Sequence, residues 1–105
     1  MVGRVWRGWT GPENADAYEA LLKEEIFVGI GDRRIAGYRG IQLFRRDVGD
    51  EVEFLTLMRF DSLDAVRAFA GEEIEAAVVP PAARDLLARF DAHSAHYEIR
   101  ADVEA

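Results

Sequence analysis

At 105 residues the chain is one domain, long enough for a modest core and too short for two. Half of its residues are hydrophobic, and its formal net charge of −7 argues against a phosphate-backbone partner, because nucleic-acid binding rests on basic side chains. With no cysteine it has no disulfide, thiolate chemistry, zinc ribbon or iron–sulfur ligation. No apolar run reaches the ~20 residues of a membrane span. The opening MVGRVWRGW has neither the continuous apolar core nor the small-residue cleavage site of a signal peptide, so a soluble, cytoplasmic protein without a membrane partner is expected.

Val2 to Trp9 reads as a first strand, with Val5, Arg7 and Trp9 on one face and Arg4, Trp6 and Gly8 on the other. Each indole is either a packing residue with an arginine beside it or the wall of a ligand pocket. Pro12 suits a first helical position, where its missing amide costs nothing. The helix it opens should run to about Ile30, with Tyr18, Leu21, Leu22 and Ile26 inward and Glu13, Asp16, Glu24 and Glu25 on a solvated face. Gly29-Ile30-Gly31-Asp32 has the glycines of a phosphate loop, but it follows a helix where a dinucleotide fingerprint follows a strand. Termination of the helix explains those glycines. The arginine pairs Arg33–Arg34 and Arg45–Arg46 sit among acidic neighbours and read as solvated ends of elements.

Tyr38 to Arg46 and Val52 to Phe60 form a predicted hairpin across the turn residues Asp47 to Asp50. In the second of these strands Val52, Phe54, Thr56, Met58 and Phe60 alternate with Glu53, Leu55, Leu57 and Arg59. Both faces are substantially apolar, which implies a second covering layer beside the protein's own helices. That layer is expected to be another subunit. Asp61 or Ser62 can cap the helix that follows, Leu63, Val66, Phe69 and Ala70 form its inward stripe, and Gly71 marks its end.

A Glu-rich helical turn is predicted from Glu72 to Val79, and Pro81 opens a further short helix with Leu86, Leu87 and Phe90 inward. His93 to Arg100 is the last strand, and residues 101–105 should fray. Within HSAH the two histidines lie three apart on a strand, so they point to opposite faces and cannot chelate one ion as they could from one face of a helix. No metal or cofactor is expected. The order strand, helix, strand, strand, helices, strand predicts an α+β, ferredoxin-like βαββαβ fold with a four-stranded antiparallel sheet and helices on one face. Its other face would expose a large apolar patch unless a homodimer formed through the sheet faces.

Five segments, RVWRGWT, ENADAYEALL, IAGYRG, EVEFLTLMRFDSLDAVRAFAG and AHYEI, resemble the antibiotic biosynthesis monooxygenase superfamily of dimeric α+β barrels over nearly the whole chain. The resemblance implies either of two activities: cofactor-independent oxidation of a quinol-like aromatic by dioxygen, or degradation of haem. A tryptophan that both groups carry on the second helix falls on Phe69, an asparagine of the quinol oxidisers on Ala65, and the haem degraders' histidine on Val79. The candidates for chemistry are His93 or His96 as base, Tyr97 or Tyr38 as hydrogen-bond donor, Arg59 as anion stabiliser, and Trp6, Trp9 and Phe69 as aromatic walls. The alternative is a non-catalytic dimeric barrel that holds a small apolar ligand or serves as an interaction module.

Overall fold

The computed structural model describes all 105 residues. Nine residues of alternating pattern form β1 (Val2–Thr10), and Pro12 then opens α1 (Pro12–Leu21) from the extended Gly11. The same helical rod continues through a π-turn (Leu22–Ile26) into α2 (Phe27–Asp32), two residues beyond the predicted end at Ile30. In the π-turn the amide of Phe27 bonds the carbonyl of Leu22, five residues back. That spacing brings Phe27 round to the face already occupied by Tyr18, Leu22 and Ile26, a rotation that regular 3.6-residue periodicity does not give.

β2 (Tyr38–Val48) and β3 (Glu51–Phe60) form the predicted hairpin across Gly49 and Asp50, with Gly49 in the left-handed region at φ 68°. α3 (Leu63–Ala70) follows at once. Ser62 is the residue that caps it, its Oγ accepting from the amide of Ala65 at 3.2 Å, while Asp61 pairs instead with Arg39. Gly71 ends the helix at φ 89°. Leu63 departs from the predicted stripe: it is 45 % exposed, and the buried positions are Ala65, Val66 and Phe69.

Residues 71–80 form no helix. They run as an irregular strap whose backbone pairs with a neighbour in place of itself: Ala77 donates to the carbonyl of Ala92, Ser94 donates to that of Glu75, and Ala76 bridges His93. Pro80 breaks the turn that Glu72 to Val79 would have made, and its three glutamates gain nothing from stacking on one another. α4 (Pro81–Leu86) is as predicted, but Phe90 is not part of its inward face. Phe90 belongs to a two-residue strand, β4 (Arg89–Phe90), where its ring tilts against Trp6 at 6.0 Å.

The sheet order is β2-β3-β1, with both β4 and β5 (Ala95–Glu98) on the free edge of β1. The predicted last strand, His93 to Arg100, is present but shortened to Ala95–Glu98, and the unpredicted β4 ahead of it makes the sheet five-stranded. Gly8 pairs with Phe90 and Val5 with Ala95, so the two residues Trp6 and Arg7 face the four residues Asp91–Ser94. The surplus forms a bulge, and the bulge is the segment that holds the strap.

Helices cover one face of the sheet. Val52, Phe54, Thr56, Met58 and Phe60 are all buried beneath them, and register places Val2, Arg4, Trp6 and Gly8 on that same face. The core has two halves: Tyr18 and Leu22 pack with Phe54 and Ala83 at one end, and Val66 and Phe69 pack with Met58 and Phe60 at the other. Tyr18 meets Phe54 edge-on at 4.8 Å, an arrangement worth about 1 kcal/mol beyond its buried area. The seam between the halves runs through the paired residues Trp6 and Thr56. The opposite face is open in the single chain, with Phe44 49 % and Tyr97 61 % exposed on it.

Candidate functional site

A cleft follows the seam between sheet and helices. It comprises two small cavities of ≈ 60 and ≈ 50 Å³ that share Trp6, Thr56, Met58 and Val78 as walls. The larger is apolar, closed by Tyr18, Leu22 and Phe27 from the helical rod and by Val79 and Pro80 from the strap. The smaller carries the polar groups, Arg4 and Ser94, with Phe69 beside them.

Arg4 is the unusual member. It is 3 % exposed, and none of the ten ion pairs in the molecule includes it. Its donors go to neutral acceptors: Nη1 to the carbonyl of Ile74 and to His96 Nε2 at 2.9 Å, Nη2 to the carbonyl of Ala76 at 2.9 Å. Its guanidinium also lies 5.6 Å from the centre of the Phe69 ring. A buried cation without a carboxylate bears a desolvation cost that hydrogen bonds to carbonyls offset only in part. Burial accordingly lowers its affinity for the proton.

His96 stands opposite Arg4 in the sheet register. Since guanidinium can only donate, Nε2 is the acceptor, and the imidazole is neutral with its proton on Nδ1. Burial first, and then the charge of Arg4, push its pKa below the ordinary histidine value, with Glu75 opposing them. A neutral imidazole is competent to take a proton, but its lone pair is held here by Arg4.

Of the eight residues expected from sequence, Trp6 and Phe69 line this cleft, and His96 is joined to it through its contact with Arg4. The others lie elsewhere, each for a visible reason. Trp9 is on the open face of the sheet, 6 % exposed because its ring is covered by Arg89 at 3.9 Å and Arg7 at 5.2 Å. It is a packing residue and not a pocket wall. Tyr38 packs on Phe60 at the far end of the sheet, where burial raises the pKa of its hydroxyl. Arg59 and Tyr97 are on the open face, and His93 is exposed on the bulge. Arg4 and Ser94 were missed, although alternation had already placed Arg4 on the face of β1 that carries Trp6. A charge on the helix-side face was the available signal.

The open face carries two wide grooves, ≈ 410 Å³ beside Phe44, Arg46 and Leu55 and ≈ 500 Å³ beside Leu57, Arg59 and Tyr97. They exceed the cleft in volume, and the first also holds an ion pair, Arg46 with Glu53 at 3.1 Å. The cleft differs in setting an unpaired guanidinium against a neutral imidazole, and it is taken as the candidate site.

No protein-family model matches the sequence, and no curated protein matches it. Solved structures do match the fold. A Bacillus cereus protein assigned as an antibiotic biosynthesis monooxygenase superposes with a TM-score of 0.66 at 15% identity, covering 99% of this chain and 97% of that one. Rv0793 from Mycobacterium tuberculosis gives 0.62 at 19% identity, with 98% of both chains covered. The haem-degrading protein MhuD of the same organism, solved with two haems bound in its active site, gives 0.58 at 20% identity, over 99% of this chain and 100% of that one. At these identities the match carries the architecture alone. The chain shares its fold with these three proteins.

Proposed function

We propose that the chain is a cofactor-independent, monooxygenase-like enzyme that oxidises a small aromatic of quinol type in the cleft, as a homodimer joined through the open sheet faces. The observation that carries the reading is a buried guanidinium, Arg4, that lines the cleft beside two aromatic walls, Trp6 and Phe69, and is in contact with the neutral imidazole of His96. In this reading the aromatic lies against Trp6, His96 assists its deprotonation, and Arg4 stabilises the anion where the low dielectric makes that interaction strong. The electron-rich anion then reduces dioxygen itself. A methylene carbon becomes a carbonyl, one oxygen atom enters the product and the other leaves as water, and the four electrons all come from the substrate.

The alternative, a non-catalytic barrel, is favoured by the narrowness of the cleft, since a cavity of ~150 Å³ is the size that accepts benzene. Haem breakdown fits less well, because the position of the haem degraders' histidine is Val79, a half-buried wall of the apolar cavity. The test is oxygen uptake by metal-free protein with an anthrone-type substrate. Uptake should scale with protein concentration and fall at least tenfold in His96→Gln. Uptake no faster than autoxidation across a panel of such substrates would remove the enzyme reading.

A further inference from the structure

The cleft as it stands is too small for an aromatic ring, and the group that keeps it small is the group that should hold the ligand. Arg4 spends its Nη1 and Nη2 donors on the carbonyls of Ile74 and Ala76, both in the strap that carries Val78, Val79 and Pro80 over the cleft. The strap has no helix or ladder of its own. Besides Arg4, its ties are the two backbone bonds of the Ala76–His93 bridge (Ala77 to Ala92 and Ser94 to Glu75), the Arg84 Nε bond to the carbonyl of Val79, and the exposed Arg67–Glu72 ion pair. These are the features of a segment that opens locally at low cost.

We propose that Arg4 is a latch shared between strap and ligand, and that the ligand that takes it is an aromatic carrying an acidic hydroxyl. This rests on the cleft being the binding site. The choice of hydroxyl follows from the Arg4–His96 pair, whose nitrogens lie 2.9 Å apart as donor and acceptor. An oxygen placed between them must accept from guanidinium and donate to Nε2. A phenol or enol does both. A carboxylate cannot donate to a neutral imidazole, and an ether cannot donate at all. Admitting that oxygen requires the nitrogens to part by roughly 2 Å, and the long side chain of Arg4, with three methylenes before its guanidinium, makes it the one that moves. Its donors leave Ile74 and Ala76, so the strap loosens as the ligand is held. The proton passes from the ligand O–H to Nε2, leaving an aromatic oxyanion beside the guanidinium and an imidazolium at His96. The only other ionisable group that acts on His96 is Glu75, which favours that imidazolium.

The experiment uses the intact protein and three probes of one shape: para-nitrophenol, para-nitroanisole and para-nitrobenzoate. Calorimetry should show the phenol binding roughly 10- to 100-fold tighter than the ether, the range for hydrogen bonds to charged groups. The visible phenolate band should show the bound phenol ionising at lower pH than the free one. At saturation the amides of Ala77 and Ser94 should exchange faster with solvent than in the free protein. Arg4→Met should abolish the preference for the phenol and speed those amides without any ligand. If that variant does not fold, the three-probe series on the wild type decides. Equal binding of phenol and ether, or of phenol and benzoate, overturns the shared-latch assignment while leaving the cleft a binding site. Unchanged or slower exchange with bound phenol overturns it likewise. If none of the three binds, the cleft reading fails and this inference fails with it.

Discussion

Replacing Phe44 by alanine separates assembly from folding. Phe44 lies on the open face of β2, opposite Leu55 of β3, and keeps 49 % of its surface in the single chain. A phenylalanine buries about 200 Å², so about 100 Å² remains to be covered by a partner. At ~25 cal/mol per Å² that area is worth about 2.5 kcal/mol in each protomer. A two-fold interface uses it twice, so the substitution should cost about 5 kcal/mol of association, roughly three to four decades in the dimer dissociation constant. The fold itself should lose about 1 kcal/mol, the span of strand propensities at an exposed position. Sedimentation velocity across a dilution series measures the first quantity and urea denaturation the second. Wild-type dimer and variant monomer at the same micromolar concentration, with similar denaturation of the separated chains, are expected. A wild-type protein that sediments as a monomer, or a variant that dimerises as tightly, refutes the inference from two apolar strand faces to a sheet-to-sheet dimer.

Phe69→Trp should destabilise the chain by about 1–3 kcal/mol, because the one space beside the ring is the ≈ 50 Å³ cavity shared with the buried Arg4, and a larger ring must displace what packs there. Phe69 is 9 % exposed, 5.9 Å from the Phe60 ring, with the guanidiniums of Arg4 and Arg33 at 5.6 and 5.3 Å. Urea denaturation at neutral pH checks it, and an unchanged midpoint would mean that the neighbourhood is looser than these contacts describe. The pH dependence of stability has a sign that follows from His96. Its folded pKa lies below the unfolded value of 6.5, so below that value the unfolded chain binds the proton first. The contribution of His96 is therefore complete above pH 6.5 and lost as pH falls from there toward the lowered folded value. His96→Gln should flatten that part of the curve in denaturation midpoints taken across the range, and a slope left intact would place its origin in another group.

Much of the fold was legible because it rests on local chemistry. Alternation gave β1 and the hairpin, Pro12 and Ser62 marked helix starts, and Gly49 and Gly71 sit where positive φ is needed. The failures occur where a segment's partners are distant in sequence. Glu72 to Val79 reads as helical by itself, and its actual structure depends on carbonyls and amides near residue 92. Phe90 and Leu63 were misplaced for a related reason: helical spacing assigns a face but cannot tell which face a short segment turns to its neighbours. The π-turn lies outside regular spacing altogether, although its effect was to add Phe27 to a stripe already identified.

The site was less legible than the fold because its chemistry is a product of the irregular parts. Arg4 and His96 lie 92 positions apart in the chain and meet because β5 returns along β1. Such a pairing cannot be read from spacing. The bulge of Asp91–Ser94 links the two departures from regularity. In an unbroken fourth strand those backbone groups would bond to β1. In the bulge the Asp91 amide still bonds β1, donating to the carbonyl of Arg7 at 2.9 Å, but the Asp91 carbonyl accepts from the Trp6 indole at 2.7 Å, while the carbonyl of Ala92 and the amide of Ser94 hold the strap. The strap then supplies the two carbonyls that make a buried, unpaired guanidinium tolerable. A helix at 72–79 would have turned those carbonyls along its own axis and left Arg4 without acceptors, so the prediction of helix and the omission of Arg4 are one error. What the sequence did carry was a conflict: an arginine beside a tryptophan on the face of a strand that packs under helices. Local rules disagree at that position, and disagreement of that kind marks a site more reliably than the presence of histidines.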